Sequence, residues 1–318
     1  VVTGAMAREV TTDAEGRARG VSYVDTGTGQ EVEVRARVVV LAASACESAR
    51  LLLNSRSSRH PNGLANSSGA VGRHLTDTPG MRVSGFIPAL LDTPAHNEDG
   101  VGGMHLYIPW WLDNRKLDFP RGYHFELGGG RGMPAYGFGG QLHRLNGGGY
   151  GEQLKADYRR YYGSIVGFSG RGEMVPNPGS YCEIDPYKVD RYGIPVLRFH
   201  WRWEETELAQ VRHMHETART IIEEMGGTPL GPMPGRDEGY GISTGGAIIH
   251  EAGTTRMGAS PRTSVLNAFG QAHDADNVFV ADAGPFVSNA HKNATWTILA
   301  LAWRAGEYIA EERRKGDL

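Results

Sequence analysis

At 318 residues, with 40% hydrophobic residues and a formal net charge of −3, the chain can bury one large or two ordinary domains and lacks the basic excess that nucleic-acid binding needs. Its two cysteines, Cys46 and Cys182, cannot build a disulfide framework, a cysteine-rich zinc site or an iron–sulfur cluster from this chain alone. The 45 glycines are about twice the usual share and lie among strand-like runs and aromatics, which predicts tight loops rather than disorder.

From the amino terminus, residues 20–25 and 31–37 alternate in polarity about Thr26-Gly-Thr-Gly-Gln30 and read as paired strands across a turn. The apolar run Val38-Val-Val-Leu-Ala-Ala43 predicts a strand buried on both faces. It leads into a helix over residues 44–54, with Ser44 as N-cap and Glu47 three residues later. Between about Pro79 and Gly245 the character changes. Short runs such as residues 81–87, 122–127 and 164–168 are separated by Gly and Pro and predict an antiparallel sheet. Residues 204–225 carry Leu208, Val211, Met214, Ala218, Ile221, Ile222 and Met225 at helical spacing. The glycine clusters at 128–132 and 147–149 lack the strand-before, helix-after context of a dinucleotide fingerprint and read as loops. Residues 277–282 form a hydrophobic strand ending in Asp282. The run after Asn293 reads as a long helix with Asn293 at its N-cap, so that the amides of Ala294 and Thr295 point outward and Arg313, Arg314 and Lys315 complement the dipole at the far end.

His250-Glu-Ala-Gly-Thr254, Arg256-Met-Gly258, the strand ending at Asp282 and the helix begun by Asn293 follow one another in a specific order. A neutral imidazole can take a proton near neutral pH, which makes His250 a candidate base. An amide at Asn293 can hold the same substrate oxygen and stabilise negative charge developing on it. The series resembles the C-terminal signature of the glucose-methanol-choline (GMC) flavoprotein oxidoreductases, and residues 44–54 resemble that family's AAGAIETPRLLLxS segment, which lies near the flavin nucleotide. One departure is Ala294, where the family commonly has Pro after the Asn. The resemblance implies an α/β fold of the GMC type, combining part of a Rossmann-like FAD-binding domain with an α+β, antiparallel-sheet substrate domain. It implies FAD as cofactor, held near Ala42, Ala43, Ser44, Asp282, Ala283, Asn293, Ala294 and Thr295, with His250 and Asn293 catalytic and no metal. The expected division is residues 1–78 and 246–318 for the FAD-binding parts and 79–245 for the substrate domain.

Substrate class is less sharply drawn. Residues 105–111 and 123–126 mix aromatic faces with hydrogen-bonding neighbours, as sugar sites and ordinary cores both do. Gln141-Leu-His-Arg144 resembles a segment lining the sugar site of pyranose oxidases, which implies substrate contacts by Gln141 and His143. Residues 264–273 and 314–318 resemble bacterial glucoside 3-dehydrogenases, which implies oxidation of a glucosyl C3 hydroxyl, with a small subunit or electron-carrier protein as partner. An oxygen-using pyranose or C-glycoside 3-oxidase is the alternative, and a non-catalytic carbohydrate-binding subunit the alternative of another class. Because no pyrophosphate-binding fingerprint is found, that strand–turn–helix is expected on a preceding segment or another chain, and the isolated chain is expected to bind FAD poorly.

Overall fold

The computed structural model describes residues 1–91, 106–129 and 138–318 and divides into two compact units. One comprises residues 1–77, 174–202 and 249–318; the other comprises residues 78–173 and 203–248.

The first unit opens with an antiparallel sheet of β1 (Ala5–Thr12), β2 (Ala18–Asp25) and β3 (Glu31–Arg35). Alternate β2 residues Ala18, Gly20, Ser22 and Val24 are buried, while Val21 and Tyr23 on the other face are half-buried. The turn into β3 closes when Oδ1 of Asp25 accepts the amides of Gly27 and Thr28. Next comes β4 (Val39–Leu41), which runs directly into α1 (Ala45–Asn54). The expectation of burial on both faces is corrected here: Val39 and Leu41 are buried, but Val40, on the opposite face of the pleat, is 48% exposed.

The second unit is built on a five-stranded antiparallel sheet. Its strands are β5 (Gly80–Phe86), β6 (Leu106–Ile108), β7 (Tyr123–Gly128), β8 (Ile165–Gly172) and β11 (Thr228–Pro229), in the spatial order β11-β5-β8-β7-β6. Helices α2 (Phe138–Asn146) and α3 (Gly151–Tyr161) precede β8, and Phe138 and Leu142 of α2 pack with Ile165, Tyr158 and Tyr162. Helix α4 (Glu205–Glu224) lies on one sheet face, where Val211, Met214, Ala218 and Ile222 meet Met81, Val83, Phe125 and Phe168. Its first turn is closed by the Glu207 carboxylate, which accepts the Glu204 amide at 2.9 Å. A Cβ at Gly85 would come within 2.6 Å of Ile222, and one at Gly170 within 2.8 Å of the Met214 sulfur, so glycine lets the helix approach.

Back in the first unit, β9 (Tyr181–Val189) and β10 (Pro195–His200) form a hairpin, and β12 (Val278–Val280) pairs in parallel with β4, Val278 opposite Val39. The chain ends in α5 (Thr295–Lys315). Residues 174–202, within the expected 79–245 span, cluster with the first unit, where Arg50 of α1 binds Asp190 and the carbonyls of Ile194 and Pro195 and where Cys182, Ile184 and Leu197 pack on the core. Asn277 joins the layers of this unit: its amide accepts from the Ala18 amide and donates to the carbonyls of Ala18 and Arg37. Of the loops expected from glycine, 147–149 lies in irregular structure and Gly128 ends β7, while residues 130–132 and His105 lie outside the described residues.

Candidate active site

The parallel pair β4–β12 presents its two carboxyl ends side by side, with the Ala281 amide donating to the Leu41 carbonyl at 2.8 Å. In sheets of this kind the carboxyl ends, next to a helix N-terminus, are where nucleotides dock. Here α1 begins four residues beyond Leu41, and Ala42, Ala43 and Ser44 are all exposed at this edge. Ser44 caps α1 as expected, its Oγ facing the Glu47 amide at 3.5 Å. Its backbone is at φ 84°, ψ 160°, a region essentially reserved for glycine, at a cost of about 1–3 kcal/mol. The Ser44→Gly variant should therefore gain roughly 1 kcal/mol of stability, since glycine is itself a tolerable cap. A fall in the thermal unfolding midpoint would show that the turn is not strained.

Asp282 sits just beyond β12 and is buried. One carboxylate oxygen accepts the Ser48 hydroxyl at 2.5 Å and the other the Gly284 amide at 2.7 Å, while Ser48 Oγ in turn accepts the Ala43 amide at 3.3 Å. Burial pushes the Asp282 carboxyl above its ordinary range, and the bonds from Ser48 and Gly284 oppose that rise. This chain of bonds links Ala43, Ser48 and Asp282 into one ledge. Ala45, Ala252, Ala283 and Phe286 are buried together beneath it, with Ala294, Ile298 and Leu301 packed against them. Small side chains at these places let the β4–α1 turn, the loop after His250, the loop after Asp282 and the start of α5 meet closely.

The segment carrying His250 is stitched on both sides. Thr76 and Ala252 exchange backbone hydrogen bonds at 3.0 and 2.9 Å, and the Gly72 amide donates to Thr254. On the other side the amides of Gly253, Thr255 and Met257 donate to the carbonyls of Ala283, Gly284 and Pro285. Thr254 donates its hydroxyl to the Ala45 carbonyl at 2.5 Å. Gly253 has φ 90°, and a Cβ there would meet the His74 carbonyl oxygen at 2.6 Å, which explains the glycine of the His250–Thr254 motif. His250 is half-buried. Beside it, burial raises the Glu251 carboxyl, nearby Asp77 raises it further, and His250 opposes this.

The expectation that Asn293 caps the last helix is corrected: α5 starts at Thr295, Ala294 occupies the cap position in a helical conformation, and no side chain caps it. Asn293 lies one residue earlier and is exposed, as is Thr295, so the helix start faces open space with its amides unscreened by a side-chain cap. Two residues before Asn293, burial and then Lys292 push His291 down to about 4, so that imidazole is neutral at physiological pH. Gln141 and His143 lie on α2 of the second unit, half-buried and exposed respectively. In the 123–126 stretch, Tyr123 and Phe125 belong to the core under α4, while His124 and Glu126 project from the opposite face. There Tyr107 stacks on His124 with ring centres 4.4 Å apart, and Glu126 lies 3.4 Å from His124 and 4.0 Å from Arg171.

Ser48, Asp77 and Asn289 did not stand out in the sequence. Each is a small polar residue whose partner is remote along the chain, and no periodicity or local motif marks such pairs.

Family models for GMC oxidoreductases match residues 1–80, the N-terminal part, and residues 178–302, the C-terminal part. The chain belongs to the GMC oxidoreductase family. Among curated relatives, it is 30% identical to the 2-methyl-1,2-propanediol dehydrogenase of Mycolicibacterium austroafricanum, over 95% of this chain and 52% of that one. It is 29% identical to the C-glycoside 3-oxidase of Microbacterium trichothecenolyticum, over 94% of this chain and 51% of that one. The chain thus spans about half the length of these relatives. The GMC fold is also seen in the likeness to the crystal structure of pyridoxine 4-oxidase from Mesorbium loti, with a TM-score of 0.65 at 18% identity, covering 96% of this chain and 57% of that one.

Proposed function

We propose that this chain is the part of a flavin-dependent oxidoreductase that carries the catalytic base, and that the enzyme oxidises a CH–OH group of a sugar or glycoside. The observation that carries the reading is the convergence, within one unit, of the His250 loop, the carboxyl ends of β4 and β12, and the open start of α5 over a single apolar cluster of three alanines and Phe286. The residues fit FAD. The exposed turn at 42–44 offers main-chain groups at a helix start, and the Thr255 hydroxyl is buried without a hydrogen-bond partner among the described residues. Ala42, Ala43, Ser44, Asp282 and Ala283 would hold the nucleotide side, and Asn293, Ala294 and Thr295 the flavin side. When bound, the flavin supplies the hydride acceptor.

The chain's own groups supply the rest. An imidazole nitrogen of His250 takes the hydroxyl proton of the substrate. The exposed Asn293 amide donates to the same oxygen and stabilises the charge gathering on it. The outward amides at the start of α5 favour negative charge beside them.

The finer reading is a glucosyl C3 hydroxyl converted to a 3-keto-glycoside, with Gln141 and His143 among the substrate contacts and a small subunit or electron-carrier protein as acceptor. The relative named for C-glycoside 3-oxidation supports the position on the sugar; the one named for a diol shares only the CH–OH group. An oxygen-using oxidase is the second reading, since that same relative is an oxidase by name. The test uses flavin-bound protein from its native source, without oxygen, before and after a C- or O-glucoside is added. Bleaching of the visible flavin absorbance, with a 3-keto product, is the expected result. Lack of flavin in that material, or flavin that no sugar or glycoside bleaches, would overturn it and favour a carbohydrate-binding chain. Consumption of oxygen on re-aeration distinguishes oxidase from dehydrogenase.

A further inference from the structure

His250 enters the site from a strained residue. Ile249 sits at φ 59°, in the left-handed region, and is 78% exposed. A β-branched side chain there is a true outlier, costing about 1–3 kcal/mol, and persists only where the surroundings over-determine the backbone. The surroundings do so at the next residue. The His250 amide donates to Oδ1 of Asp77 at 3.0 Å, and the His250 carbonyl accepts from Nδ2 of Asn289 at 2.7 Å. Asp77 is 0% exposed and Asn289 1%.

Those two bonds pin the two peptide planes on either side of the His250 Cα. With the planes fixed, φ and ψ are fixed, and only χ1 and χ2 remain to aim the ring. The adjacent backbone exchange between Thr76 and Ala252 makes the clamp rigid on the Asp77 side. A buried carboxylate carries a desolvation cost that a neutral acceptor would largely avoid, and the strain at Ile249 adds to it. Both costs fall on residues that hold the base, Asp77 by a hydrogen bond and Ile249 as its chain neighbour, as expected of a device that sets geometry rather than stability.

We propose that Asp77 and Asn289 are positioning residues that fix the main chain of His250 and thereby the reach of its imidazole toward the substrate hydroxyl. This rests on the reading of His250 as the base. Misplacing a reacting group by about 1 Å can cost as much as ~10²-fold, which sets the scale of the effect.

The experiment compares Asn289→Ala, Asp77→Ala and Asp77→Asn with His250→Ala, all in the flavin-bound protein. Asn289→Ala and Asp77→Ala should each lower kcat about tenfold or more with KM held within about twofold, the split expected when aim rather than binding is lost. Asp77→Asn, which keeps an oxygen facing the His250 amide, should recover most of the rate. If Asp77→Ala does not fold, Asn289→Ala carries the test, since it deletes a single neutral donor. Parent kcat in Asn289→Ala, with His250→Ala impaired, overturns the proposal while leaving the base in place. Asp77→Asn as slow as Asp77→Ala overturns it for Asp77. Parent kcat in His250→Ala removes the base itself, and is thereby told apart from failure of the clamp.

Discussion

Replacing His250 with alanine is expected to slow substrate oxidation by roughly 10²-fold or more while flavin stays bound, the usual scale for deleting a positioned base. The expectation follows from how the residue is held. Its main chain is fixed by Asp77 and Asn289, and its loop is hydrogen-bonded to residues 72–76 on one side and 283–285 on the other. Its side chain is half-buried and lies outside the buried cluster of Ala45, Ala252, Ala283 and Phe286. Removing the ring should therefore leave the loop in place. His250→Gln refines the measurement, because it keeps a hydrogen-bonding side chain of similar reach but cannot take the proton. Stopped-flow reduction of the flavin without oxygen isolates this step from reoxidation. Equal rates in parent, His250→Ala and His250→Gln would remove His250 from the chemistry, whatever the clamp around it does.

The elements that the sequence made legible are those whose signal is local. The pairing of β2 with β3 across the 26–30 turn, the helical spacing of α4 and the Ser44 start of α1 each appear where expected. The His250 and Asn293 motifs were legible through their order and residue types. Two of the corrections involve partners distant along the chain, and the third is a one-residue shift in a helix start. Val40 looked buried because five apolar neighbours surround it in sequence, yet burial depends on what packs over each face of β4, and the apolar run carries no information about that. The hairpin at 181–200 falls inside the expected 79–245 span, yet Arg50, the Cys182 amide bonded to the Gly72 carbonyl and the packing of Cys182, Ile184 and Leu197 on the core hold it in the first unit. Asn293 has the composition of a cap, but α5 begins after Ala294, and one residue's displacement turns the amide from a helix cap into an exposed group.

That arginine should be among the costliest residues to lose. Arg50 is buried on α1 and uses its whole fork: Nε donates to the Pro195 carbonyl at 2.8 Å, Nη1 to Glu47 at 3.1 Å, and Nη2 to Asp190 at 2.7 Å and the Ile194 carbonyl at 3.1 Å. Asp190 meanwhile accepts the amides of Tyr192 and Ile194, which shapes the turn between β9 and β10. The Arg50→Met variant fits a similar volume but takes the arginine from the Asp190 and Glu47 carboxylates, while the Pro195 and Ile194 carbonyls keep the Asn54 side-chain amide and the Asp190 amide as donors, so a loss of about 2 kcal/mol is expected, the scale of a lost hydrogen bond to a charged group. Arg50→Lys should recover only part, since an ammonium cannot span the fork. Burial tends to raise the Asp190 carboxyl, but Arg50 and the two turn amides outweigh it and hold the group below its ordinary range. A depressed carboxyl stabilises the fold fully above its unfolded pKa of about 3.9, and that stabilisation is lost as pH falls through the lower folded value. The stability gap between parent and Arg50→Met should accordingly be widest near neutral pH and close in acid. Denaturant midpoints across that range, followed with a probe in the first unit, measure it; a gap independent of pH would place the role of Arg50 in packing, through its buried stem, rather than in the ion pair.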